Sequence, residues 1–115
     1  MEHPACYLAQ RIRARHHLSD HATVEELLRV CHARGAAVAH APRLRSRGLY
    51  LPEQGVILLR DREATVIAHE LLHFLWWDNA GFGVWYGAPE FATRGLEYEA
   101  AEFARLLCGE EACGS

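Results

Sequence analysis

Hydrophobic residues recur along this chain at helical spacing in one stretch and in short runs in another. Val24, Leu27, Leu28 and Cys31 fall three and four apart, which places them on one helix face. Thr23 precedes them and Glu26 stands three residues after it, the pattern of a capping box. Gly35 is a natural stop. A helix is expected over 24–34. Residues 5–15 alternate weakly and carry Arg11, Arg13 and Arg15, which fits either an N-terminal helix or a frayed arm.

Three strand candidates follow. Residues 36–41 are small and apolar and end at Pro42; Gly48–Leu51 ends at Pro52. Val56–Leu59 is the clearest, with four large aliphatics, two of them β-branched. Glu53-Gln54-Gly55 reads as a turn, so the last two strands suggest an antiparallel hairpin. Asp61 is placed to cap a helix over 62–77, with Glu63 in its first turn. That helix is apolar on nearly every face, so it is expected to be central and buried. Residues 78–88 hold Gly81, Gly83 and Gly87 among Phe82, Trp85 and Tyr86, an expected mobile aromatic loop. A last helix starts near Pro89 and ends by Gly109, with Gly95 as a break or kink point. The fold class expected is α+β. A short antiparallel sheet packs on the buried helix, and the C-terminal helix completes a single domain over residues 1–115.

Composition narrows the function classes. With 115 residues and 50% hydrophobic content, one core can be buried. The net charge of −3 gives no reason to expect direct nucleic-acid binding. All 12 basic residues are arginine, and nothing functional is taken from that. The longest apolar run is too short and too polar to span a bilayer. The N-terminal residues do not read as a signal peptide, so no membrane and a cytoplasmic location are expected. Cys6, Cys31, Cys108 and Cys113 form no C-x-x-C pair, and free thiols are expected in a reducing compartment.

The chemistry sits on the apolar helix, in His69-Glu70-Leu71-Leu72-His73. Residues four apart share a helix face, so both imidazoles can address one ion. Glu70 stands beside them, able to reach a metal-bound water as general base without being a ligand. A shuffled chain of this composition holds the pattern about 5% of the time, so the motif alone is suggestive. Its setting adds weight. An apolar helix has no structural use for three adjacent ionisable side chains, because burying unpaired polar groups is costly. A catalytic zinc wants a third protein ligand and an open position. The metzincin pattern needs histidine where Asn79 stands; the thermolysin pattern needs aspartate where Ala101 or Phe103 stands. A glutamate of the last helix remains, from Glu90, Glu97, Glu99 and Glu102. Glu97 and Glu99 flank its packed stripe of Ala100, Phe103, Ala104 and Leu107 on opposite sides, and helix geometry does not choose between them.

The segment Glu97-Tyr98-Glu99-Ala100-Ala101-Glu102-Phe103-Ala104-Arg105-Leu106-Leu107 resembles the E-x-E-A-N-x-F-A-x-x-L-L signature of the ImmA/IrrE metallopeptidases. The spacing from the histidine motif and the lead-in Val56-Ile57-Leu58-Leu59-Arg60-Asp61 are similar too. The resemblance spans about residues 49 to 107, roughly half the chain. It implies a gluzincin-like zinc peptidase with His69, His73 and Glu97 as zinc ligands, Glu70 as base and Glu99 as alternative ligand or supporting partner. It also implies a protein or peptide substrate, such as a DNA-binding repressor. Leu72, Ala101 and Cys108-Gly109 depart from the family's usual glycine, asparagine and Met-Pro. The rival expectation is a non-catalytic zinc-binding module, an antirepressor or antitoxin-like partner.

Weaker features are read blandly. His17 and His21 precede the Thr23 cap, where no helix is expected. Arg43, Arg45 and Arg47 alternate as on a solvated face. Tyr86 or Tyr98 is a candidate oxyanion partner, and Val56–Leu59 is a candidate edge for pairing with an extended substrate.

Overall fold

The structure is a computed structural model that describes residues 4–78 and 89–109. Among the described residues its α+β architecture has four helices and one three-stranded sheet. Helix α1 (Pro4–His16) settles the N-terminal segment as helix. Helix α2 (Val24–Ala33) begins at the expected capping box: Thr23 accepts from the Glu26 N–H, and Glu26 accepts from the Thr23 N–H. Gly35 follows with φ of 87°, the left-handed conformation that ends a helix most cheaply in glycine.

Strands β1 (Ala37–His40), β2 (Gly48–Leu51) and β3 (Val56–Leu59) stand in the order β1-β3-β2. The expected hairpin is present, with Leu49 opposite Leu58 and Leu51 opposite Val56. The sheet is nonetheless mixed, because β1 runs parallel to β3 with Val38 opposite Ile57. The expectation of a purely antiparallel sheet is corrected on that pair. The physical reason is order: the most aliphatic strand takes the centre, where Ile57 and Leu59 are buried. Val56–Leu59 is therefore no edge, and β2 takes that position beside the site.

Helix α3 (Ala64–Asp78) starts later than expected. Its first turn closes when Ile67 N–H donates to the Glu63 carbonyl. Asp61 is not its cap; Arg47 and Arg60 engage that carboxylate, which holds its pKa below the ordinary value. Ile67, Ala68, Leu71 and Leu72 are fully buried, as α3 packs against α2, β2, β3 and the last helix. Leu72 is accommodated in this core. Helix α4 (Pro89–Leu107) is continuous through Gly95, so the expected break is absent. The 78–88 loop and Tyr86 lie outside the described residues, apart from Asp78.

Helix α1 holds α4 near both ends of its buried stretch. Ala5 N–H donates to the Glu99 carboxylate at 2.8 Å. The Arg13 guanidinium donates to the Leu106 and Leu107 carbonyls at 3.0 and 2.9 Å, satisfying helix-terminal groups that lack partners of their own. Cys31 and Cys108 form no disulfide, but Cys6 is disulfide-bonded. The expectation of free thiols throughout is corrected at Cys6. Among the described residues no helix is long and apolar enough to cross a membrane.

Candidate metal centre

The buried surface of α3 faces the core and the sheet, and one edge of it opens into a cleft of about 790 Å³. His69, Glu70 and His73 line that cleft from α3, β2 lines it from the sheet, and Glu97 lines it from α4. Three of these groups converge. Glu97 Oε2 lies 3.2 Å from His69 Nε2, and Glu97 Oε1 lies 2.8 Å from His73 Nε2. The three candidate ligand atoms lie within 4.8 Å of one another. Tetrahedral ligands about 2 Å from an ion sit roughly 3.3 Å apart. The side chains thus need only small adjustments to close on one ion, and the cluster could hold a metal.

The electrostatics suit that role. Burial pushes the His73 imidazole below its ordinary pKa; Glu97 opposes the shift and His69 adds to it. A neutral imidazole is the form that binds a cation.

The structure separates the two glutamates that helix geometry left open. Glu97 is 60% exposed in its side chain and turns to the histidines, whereas Glu99 is 5% exposed and turns to α1. A buried carboxylate accepting from the first turn of a helix suits the positive end of its dipole. Glu99 thus anchors α1 on α4 and is not among the converging groups of the described residues. Replacing Glu99 with Ala is expected to lower stability by about 2 kcal/mol, the loss of a charged buried hydrogen bond. Metal stoichiometry should stay unchanged; urea titration beside elemental analysis checks both. Glu102 pairs with Arg105 at the i,i+3 spacing, and Glu90 has no described side chain.

Glu70 lies next to the cluster but outside it. Its side chain is 8% exposed, and its carboxylate accepts the Tyr50 backbone N–H from β2. Burial pushes its pKa up to about 7, and the nearby Glu97 charge adds to the shift. A carboxylate poised near neutrality is matched to taking and returning a proton.

Gly48 makes this proximity possible, a role that sequence inspection missed. A Cβ there would sit 2.8 Å from Val66 Cγ1 and 3.0 Å from Glu70 Cγ. The signal available was a glycine inside a strand, which often marks close approach of backbone to a neighbour. Gly48→Ala is expected to displace β2 or Glu70. The cost should be about 1–3 kcal/mol, with a larger proportional loss of any activity than of metal affinity. Thermal melts and metal titration of the same preparation read the two separately.

The remaining candidates fall elsewhere. Tyr98 is 56% exposed and does not line the cleft, so it is no oxyanion partner there. His17 ends α1 with φ of 54°, and His21 Nδ1 lies 3.0 Å from the Cys108 carbonyl; neither joins a metal cluster among the described residues. Arg47 is more than a solvated cation. It pairs with Asp61 at 3.0 Å and with Glu63, tying the start of β2 to the start of α3. Arg43 and Arg45 are exposed, as read. Arg105, unremarked in sequence, lines the cleft from α4.

Comparison of the chain with known protein families, with curated proteins and with solved structures finds no match.

Proposed function

We propose that this chain is a zinc-dependent metalloendopeptidase of the ImmA/IrrE kind. The observation that carries the reading is the convergence of His69, His73 and Glu97 on one point, with Glu70 buried beside them. Two imidazoles and a carboxylate are the donor set of a hydrolytic zinc site that keeps an open position. When bound, the ion supplies Lewis acidity, lowering the pKa of a coordinated water toward about 7 and polarising the scissile carbonyl.

The protein's own groups do the rest. Glu70 takes the proton of the attacking water and delivers it to the leaving nitrogen. Its buried site places the carboxylate against the β2 backbone, with the Tyr50 N–H as a hydrogen-bond partner. Strand β2 is a sheet edge bordering the cleft, so an extended peptide can pair along it. The substrate is accordingly a protein segment in extended form, and a DNA-binding repressor is the class that the family resemblance suggests.

The presence of Glu70, buried and lining the same cleft, favours a hydrolase over a module that only holds its partner. The test is incubation of the zinc-loaded protein with a diverse peptide mixture, followed by mass spectrometry. New termini that vanish with chelator and with Glu70→Gln support the reading. Fragments that persist in Glu70→Gln remove Glu70 as the base. Absence of any zinc-dependent cleavage, with partner binding intact, returns the non-catalytic module.

A further inference from the structure

We propose that this protein self-associates as a reversible two-fold dimer through the outer face of its sheet. The inference is independent of the metallopeptidase reading. Side chains along a strand point alternately to the two faces of a sheet. One face is settled by its contacts. A Cβ at Gly48 would meet Val66, the Tyr50 ring meets Phe74 edge-on at 5.8 Å, and Ile57 and Leu59 are buried. Val66 and Phe74 belong to α3, so this is the face that α3 covers. The register then sets the opposite face as two rows across the three strands, Ala39–Leu58–Leu49 and Ala37–Val56–Leu51.

Both rows are aliphatic throughout. A sheet face that meets water ordinarily carries polar residues. Among the described residues, no member of the two rows belongs to the buried core or packs against it. Ala37, Ala39 and Leu49 are exposed, the last at 41%, and Leu51, Val56 and Leu58 are half-buried. A contiguous apolar patch of this kind marks a surface that another molecule covers.

The charges around the patch say which molecule. At the end where β1 and β3 finish and β2 begins, Arg43 and Arg45 are exposed and form no ion pair among the described residues. Arg47 and Arg60, at the same end, are engaged with Asp61. At the other end, Glu53 in the turn between β2 and β3 is exposed and likewise forms no ion pair among the described residues. Arg34, which precedes β1 there, is turned to His16. The patch is thus positive at one end and negative at the other. A second copy laid over it end for end sets the arginines of each copy against Glu53 of its partner, the reciprocal contact that two-fold symmetry requires. The opposite alignment would bring arginine onto arginine. Aligned sheets pack about 10 Å apart with their inner side chains interdigitated. A face of three strands by four residues measures roughly 14 by 13 Å. That is well below the ~800 Å² per partner of a stable dimer, so the dimer is weak, with a Kd on the order of 100 µM.

The test is sedimentation equilibrium of the full chain from about 10 µM to about 1 mM. Monomer is expected at the lower concentration and mostly dimer at the upper. Leu49→Lys should leave a monomer throughout. Arg43→Glu combined with Arg45→Glu in one chain, and Glu53→Arg in another, should each weaken the dimer about tenfold. The two chains mixed in equal amounts should associate as tightly as the wild type, because both rims then join opposite charges. Melting temperatures confirm that each variant is folded. Wild type that stays monomeric at the upper concentration assigns the face to some other occupant and overturns the proposal. A dimer that survives Leu49→Lys, or charge variants whose mixture fails to recover, places the contact elsewhere and overturns it too.

Discussion

Glu70→Gln is expected to abolish zinc-dependent cleavage while making the metal-free protein more stable at pH 8. The two effects have one cause, the burial of a carboxylate beside a second carboxylate. Loss of a general base costs about a hundredfold or more in rate. Glu70 is not among the converging ligand atoms, so zinc stoichiometry should not change.

The stability gain follows from the direction of the pKa shift. The folded-state value is raised from 4.5 to about 7. The native state therefore holds this proton more tightly than the unfolded chain does. Relative stability from this group is fully present below about pH 4.5 and is lost as pH rises through about 7. At pH 8 the ionised, desolvated side chain opposes folding by on the order of 2 kcal/mol, after allowance for the water that still reaches the cleft. Glutamine carries no charge and can still accept the Tyr50 N–H through its amide oxygen. The variant should melt roughly 5–10 °C higher at pH 8 and equally at pH 4. His73 titrates with the opposite sign but is common to both proteins, so it cancels in the comparison. Melts of chelator-treated wild type and variant across this range are the measurement. Equal melting temperatures at pH 8 would mean that Glu70 is not desolvated as described.

The second large effect is expected at Glu97. Glu97→Ala removes the carboxylate that faces both His69 and His73, leaving two ligands. Zinc affinity should fall by roughly a hundredfold or more. Zinc at a hundredfold excess over its Kd stabilises a native protein by about 2.7 kcal/mol. That zinc-induced rise in melting temperature should be present in wild type and in Glu99→Ala, each against its own metal-free melt. It should be missing in Glu97→Ala and His69→Ala. A full zinc response in Glu97→Ala would remove Glu97 from the ligand set. Loss of the response in Glu99→Ala would show that anchoring α1 is required to shape the site.

Much of this molecule is legible in local pattern because the deciding forces there are local. The Thr23–Glu26 capping box lies within four residues, and it starts α2 as the pattern requires. The uniform apolarity of the segment around Ile67, Leu71 and Leu72 predicts a buried helix, since no face of it could profitably meet water. The four-residue spacing of His69 and His73 sets their common face wherever the helix is packed. The ligand pair and the neighbouring base are therefore readable before any fold is known.

Tertiary structure decided the rest, because it depends on which surfaces meet. Glu97 and Glu99 are equivalent by position along α4. Only the docking of α1 consumes Glu99 and leaves Glu97 to the histidines. Strand order is likewise non-local: β1 slips in beside β3 as a parallel partner and leaves β2 as the edge by the cleft. Asp61 was placed to cap α3 by its position alone, yet two arginines outcompete the helix for its carboxylate. The raised pKa of Glu70 needs the backbone of β2 against α3, and Gly48 is the residue small enough to allow it. The sequence by itself determined the helix that carries the metal motif. The packing of α1, α4 and β2 around that helix determined which carboxylate joins the histidines and which one has its pKa raised toward neutrality. A side chain's charge state and partners depend on the surfaces closed over it, and those are contributed by segments far away along the chain.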